Sequence, residues 1–287
     1  MEKGYSKEER VVIGIDPASG DKGSYVFAPD VNDPDPAKNR GRGIDRSMTP
    51  SELRTLLPSR NAREECGRKP FHTEACLVCW DAPLTGLQDP DALEIEEESS
   101  QKESLTTRPI ERTGAKVKPE YQSVARATGE PGVSIRGFSG LSHWVITRNV
   151  LGLPRVGRFD AAYDELPLFP VFEKEEVANH NWAITEVHPT LAVYLWLKGR
   201  LAGDKTLWRQ YKGSGKESDV VEAVQAMWEI LHNQFLNEER YSELSAPMSD
   251  DAFDARVAWL LGYVWLHETG VEIVGTEQDG SFLLPKE

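Results

Sequence analysis

The chain has 287 residues, 39% of them hydrophobic and 28% charged, and carries a formal net charge of −14. That length can bury a sizeable core in one large domain or two small ones, and the charge excludes a general basic coat for nucleic acid. No run of eighteen apolar residues is present to span a bilayer, and the stretch Met1 to Arg10 lacks the apolar segment of a secretion signal, so the expectation is cytoplasmic residence with no membrane partner.

The first predicted element is a strand over Val11 to Asp16, a β-branched run stopped by Pro17 and the turn residues Ser19, Gly20, Asp21 and Gly23. Asp16 therefore stands at the carboxyl end of a buried strand, the edge at which open α/β sheets build their sites. Taken alone, an Asp-Pro step also reads as a simple turn cap. Ser24 to Ala28 predicts a second strand, antiparallel to the first through a glycine-containing turn. Residues 29–46, rich in Asp, Pro, Asn, Gly and Arg, predict a long loop with at most a short strand. Thr49 and Pro50 then open a short helix, with Glu52 placed for a capping box.

The next strand, Ala75 to Trp80, also ends in a carboxylate and a proline, in the order Asp81, Ala82, Pro83. Three cysteines lie close by. Cys66, His72, Cys76 and Cys79 have the residue types of a zinc site, but residues three apart on a strand point to opposite faces, which favours buried thiols at Cys76 and Cys79. Residues 88–172 read as an insertion, partly mobile, within a single domain over 1–287. Residues 89–103 are acidic, and residues 102–118 are basic and poor in apolar side chains. From Gln101 to Arg158 ten basic residues face four acidic ones, a local excess that suits contact with a phosphate backbone or a solvated basic loop. Residues 136–153 fit one apolar helix face, and residues 166–172 are too interrupted by proline for a central strand.

Trp182 to Val187 is the third strong strand, closed by His188 and Pro189, with a helix over Leu191 to Lys198. Glu186 is costly to bury in such a strand without a cation or a hydrogen-bonded partner; His188 either orients a neighbour or packs. Residues 212–216 read as a linker, and residues 218–235 as an amphipathic packing helix. The final helix starts at the cap Ser249 with Asp250 and Asp251 in its first turn, as the helix dipole favours. Asp254 lies a turn further in, and at a spacing of three it shares a helix face with Asp251. A hairpin turning at Asp279 and Gly280 closes the pattern.

Asp16, Asp81 and Glu186 at three strand ends, with Asp251 and Asp254 on an apolar helix, form an oxygen-only cluster if the strands are adjacent. Such carboxylates repel unless hard cations sit among them, and an all-carboxylate shell suits Mg²⁺ or Mn²⁺. Two ions about 4 Å apart would clamp an in-line displacement at phosphorus.

The order of these elements resembles the ribonuclease H-like superfamily, and the run Asp251 to Ala258 resembles the final helix of Holliday-junction resolvases of that fold. More closely, Gly14-Ile15-Asp16, Trp80-Asp81-Ala82-Pro83-Leu84, Glu186-Val187-His188-Pro189 and the run Asp250 to Ala255 are similar to motifs of the domain of unknown function 429 family, regarded as nucleases of that superfamily. The resemblance covers most of the chain outside residues 88–172. It implies an α/β fold with a mixed five-stranded sheet, helices on both faces and a large insertion after the fourth strand. It also implies metal-dependent hydrolysis of nucleic-acid phosphodiesters. Asp16 would be the ligand shared by two ions, Asp81 and Glu186 the flanking ligands, and Asp254 with Asp251 would complete the shell. Two other classes share the sheet: a noncatalytic nucleic-acid or protein binding module, and a nucleotide-binding phosphotransferase, whose duplicated strand-turn has no second copy in this chain.

Overall fold

The computed structural model describes residues 10–18, 23–32, 43–57, 75–85, 108–112, 117–128, 147, 168–201, 205–212 and 216–286. Strand β1 (Val11–Asp16) lies at the centre of a mixed sheet. On one side β2 (Ser24–Ala28) pairs antiparallel with β1, and β3 (Ile44–Met48) pairs antiparallel with β2. On the other side β4 (Cys76–Trp80) runs parallel to β1. Beyond it come β5 (Phe169–Pro170) and β6 (Trp182–Glu186), giving six strands in the order β3-β2-β1-β4-β6-β5.

The family resemblance implies five strands, whereas the sheet has six, the sixth being the short β5. Its proline, Pro170, suits the sheet edge, where a missing N–H costs no ladder bond. The short strand allowed at most within the loop expected over 29–46 is β3, which starts at Ile44 and runs past that span to Met48. Its inward positions alternate as Ile44, Arg46 and Met48, and the charge in the middle hides the apolar period.

Strand alternation divides the core into two. Val11, Ile13, Ile15, Cys76, Val78, Trp80 and Ile184 face one cluster, covered by Leu53, Leu56 and Leu57 at helix α1 (Pro50–Leu56). Thr49 caps α1 through the expected reciprocal capping box with Glu52. The other cluster takes Val12, Leu77, Cys79 and Ala183. Helices α2 (Gln122–Thr128), α3 (Pro189–Leu197), α4 (Lys205–Lys212), α5 (Glu217–Phe235) and α6 (Asp250–His267) supply its remaining helical wall. Cys76 and Cys79 thus lie on opposite faces, both buried, as the strand period requires. Cys66 and His72 lie outside the described residues.

Helix α6 crosses β1 and is buried without interruption from Ala252 to Leu266, which is why its sequence shows no polar face. Trp259 and Phe253 are almost fully buried, each worth roughly 1.5–3 kcal/mol of transfer free energy. Two glycines set the closeness of this contact. A Cβ at Gly14 would stand 2.0 Å from the Ala255 carbonyl oxygen and 2.4 Å from the Trp259 nitrogen. One at Gly262 would stand 2.5 Å from Cys79 Sγ.

Hairpin strands β7 (Val271–Thr276) and β8 (Gly280–Pro285) form a second sheet, joined to the first where Leu283 bridges Val187. At its turn, Asp279 accepts hydrogen bonds from Ile110 N, Lys118 Nζ and Tyr121 Oη. Parts of the section between β4 and β5 are therefore built into the core: Arg108, Ile110, Tyr121 and Val124 are buried, and Thr147 accepts a 3.0 Å bond from Trp80 Nε1. The helix predicted over 136–153 lies outside the described residues except at Thr147. Among the described residues no helix is long and apolar enough to cross a membrane.

Candidate functional site

The carboxyl ends of β1, β4 and β6 lie side by side. Asp16 closes β1, and Asp81 follows β4 with its backbone nitrogen donating to the Ile15 carbonyl at 3.0 Å. Both side chains continue the pleat that faces α6. Asp16 is two residues beyond Gly14, which meets α6 at Ala255, and Asp81 is two beyond Cys79, which meets α6 at Gly262. Asp254 directly precedes Ala255 and is 3% exposed, so the close approach at Gly14 delivers it to the same place. Ser249 starts the helix as expected, its hydroxyl accepting from Ala252 N at 3.1 Å.

Burial, and then the charges of Asp81 and Asp254, hold Asp16 well above the usual carboxylate range, with Lys212 pulling it down and Asp251 adding to the rise. Burial and Asp254 lift Asp81 in the same way, against Lys212. Three carboxylates thus share one field at the strand edge. One of them has a compensating cation: Lys212 Nζ and Tyr211 Oη both donate to Asp254, through short hydrogen bonds to Oδ2 and Oδ1 respectively. Asp254 nonetheless stays raised, because its burial outweighs the ammonium and the two donors. Burial works against the charge of Lys212, but Asp254, Tyr211 and Asp16 outweigh it and hold the ammonium firmly protonated. The ammonium also lies 4.7 Å from the centre of the Tyr211 ring.

The sequence pattern assigns Lys212 to a linker, whereas it ends α4. The signal that finds this helix is the spacing of Leu207, Trp208 and Tyr211, of which Trp208 and Tyr211 are buried.

Glu186 is placed differently. It stands in register with Trp80, one residue short of Asp81, and two residues beyond Ile184 of the opposite cluster. Its carboxylate lies 2.6 Å from Arg108 Nη1 and accepts a 2.9 Å bond from Leu84 N. Arg108 is fully buried. It also donates to the Thr85 carbonyl and, from Nε and Nη2, to both oxygens of Glu111 at 3.1 Å. Burial pushes Glu186 up to about 8 in spite of Arg108 and Leu84 N. Glu186 therefore clamps the segment after Asp81 to the strand, and the buried cation that its position demands comes from the basic section between β4 and β5.

Asp251 differs from Asp254 in being exposed, at the rim of the site. His188 stands at the N-cap position of α3, without a side-chain capping bond, and packs edge-on against Phe282. Of the basic section, Arg112, Lys118 and Arg126 are exposed, while Arg108 is consumed internally.

The five carboxylates singled out in the sequence thus divide. Asp16 and Asp81 make no ion pair among the described residues, and Asp81 Oδ1 is buried there without a hydrogen-bond partner. Asp254 is held by Lys212, Glu186 by Arg108, and Asp251 lies outermost. Among the described residues no group of three or more His, Cys, Asp or Glu side chains is arranged to hold a metal ion. The Asp16 and Asp81 pair does suit a single hard cation, because Mg²⁺ is commonly held by one or two carboxylates with water and substrate phosphate completing its shell.

The fold and site define an α/β protein with a six-stranded mixed sheet flanked by helices and a carboxylate-lined edge. No family model, curated protein or solved structure matches the chain.

Proposed function

We propose that this protein is a ribonuclease H-like, divalent-metal-dependent hydrolase of nucleic-acid phosphodiester bonds, with Asp16 and Asp81 as its metal-holding carboxylates and Asp254 beside them. The observation that carries this reading is the convergence of Asp16 and Asp81, at adjacent strand ends, with Asp254 of α6, together with a buried Asp81 oxygen that has no hydrogen-bond partner among the described residues. The antiparallel β1–β2 pair, the parallel β1–β4–β6 run and the final helix laid on β1 support the same superfamily.

A bound Mg²⁺ or Mn²⁺ supplies a water of lowered pKa and polarises the phosphoryl oxygen. The chain does the rest. Asp16 and Asp81 lie at one level on neighbouring strands, from which both would hold the ion. Tyr211 and Lys212 fix the Asp254 carboxylate, and Arg108 through Glu186 anchors the Leu84–Thr85 backbone that follows Asp81. The exposed bases Arg112, Lys118 and Arg126 belong to the section that would meet the nucleic-acid backbone.

The test is cleavage of a panel of labelled DNA and RNA oligonucleotides with Mg²⁺ or Mn²⁺. The expected result is metal-dependent cleavage that Asp16→Asn abolishes with the fold intact by circular dichroism. Cleavage that survives Asp16→Asn, or none on any substrate, overturns the proposal.

A second reading, a noncatalytic binding module on the same fold, is favoured by one observation: the chain's own cations already compensate two of the acids. Nucleic-acid binding without cleavage in the same panel would select it.

A further inference from the structure

Metal sites that clamp a phosphoryl group between two ions need carboxylates free to serve both ions. Here one of the three converging carboxylates already holds a cation supplied by the chain itself. Lys212 reaches Asp254 from the last residue of α4. Its side chain is 26% exposed and its partner carboxylate 4% exposed, so the ammonium lies at the boundary between core and surface. Three features pin it there: the Asp254 carboxylate, the Tyr211 ring beneath it and the field of Asp16. Tyr211 is itself fixed, fully buried, with its hydroxyl on Asp254 and 3.5 Å from Thr190 Oγ1.

We infer that Lys212 is a built-in cation that takes the place of a second divalent ion, so that the site binds one metal ion, on Asp16 and Asp81, rather than two. This rests on the metal-dependent reading proposed above. Charge supports it: an ammonium at Asp254 leaves two carboxylates for one dication, a neutral balance, whereas a second dication would meet the fixed ammonium at short range. Lys212 acts here as a positioning residue. It holds Asp254 in place and sets a positive group in the field of Asp16 without coordinating anything.

The experiment is a Mn²⁺ titration of the full chain followed by electron paramagnetic resonance, which counts bound ions independently of activity. The wild type is expected to bind one Mn²⁺ per chain, and Asp16→Asn at least tenfold more weakly. Lys212→Met, which keeps the stem and removes the charge, is expected to bind two, and Lys212→Arg one. Two ions on the wild type, or only one on a folded Lys212→Met, would overturn the inference and leave the metal-dependent reading standing. No ion on the wild type would overturn both. If Lys212→Met fails to fold, the wild-type count and Lys212→Arg still decide, because two ions on either contradict an ammonium or guanidinium in that position.

Discussion

Gly14 and Ala255 touch so closely that a Cβ on Gly14 would stand 2.0 Å from the Ala255 carbonyl oxygen. This contact seats the final helix on β1 and sets Asp254 beside Asp16. Gly14→Ala forces the helix outward, and overpacking of this kind costs about 1–3 kcal/mol or more. The expected outcome is a lower urea midpoint together with weaker Mn²⁺ binding. Gly199→Ala is the control, because a Cβ there meets nothing within 4 Å. Equal midpoints for the two variants would show that the helix and strand do not need this closeness.

Arg108 serves two buried carboxylates at once, Glu186 and Glu111. Arg108→Met leaves both without their cation, and breaking such a pair costs about 3–5 kcal/mol. Adding Glu186→Gln removes one orphaned charge and is expected to recover part of the loss, which a double-mutant cycle in urea measures as coupling. An Arg108→Met variant as stable as the wild type would contradict the clamp.

Tyr211→Phe keeps the ring under Lys212 and removes the hydroxyl that donates to Asp254. A hydrogen bond to a charged group contributes about 1.5–3 kcal/mol, so a loss of that order is expected in chemical denaturation. A change below a few tenths would mean that Lys212 alone holds the carboxylate.

The pH dependence follows from acids held above their ordinary values. Asp16 is raised by burial and by the charges of Asp81 and Asp254, Asp81 by burial and by the charges of Asp254 and Glu186, and Glu186 by burial to about 8. The folded chain therefore binds more protons than the unfolded chain, and the unfolding free energy falls as pH rises. The stability these groups contribute is complete below the unfolded carboxyl values near about 4 and is lost as pH climbs through the folded values. The Tm without added divalent ion is expected to drop between roughly pH 5 and pH 8, less steeply in Asp16→Asn. Mg²⁺ is expected to restore Tm mainly at the upper end. A Tm that rises over this range would contradict the raised values.

Asp16, Asp81 and Asp254 are legible in the sequence because a carboxylate that ends an apolar strand, or sits a turn inside an apolar helix, breaks a strong local pattern. The cost of burying Glu186 is legible for the same reason. Its partner is not: Arg108 lies 78 positions away, in a stretch whose composition looks solvent-facing. Lys212 escapes because the Gly-Ser-Gly that follows it gives the whole segment the look of a linker, although Trp208 and Tyr211 mark one face of a helix. Strand β3 is obscured by the inward Arg46, whose charge is met by Glu52 at 3.1 Å. Local patterns announce where a charge is out of place; only the folded chain says which distant group answers it.

The buried Arg256 of the last helix holds Asp45 of β3, 211 positions earlier in the chain. During synthesis the early strands emerge long before the helix that covers them, so one apolar face of the nascent sheet stays open until most of the polypeptide has left the ribosome. Chaperone dependence in the cell, and slow refolding from dilute denaturant, are the expected signs of a core whose keystone is translated late.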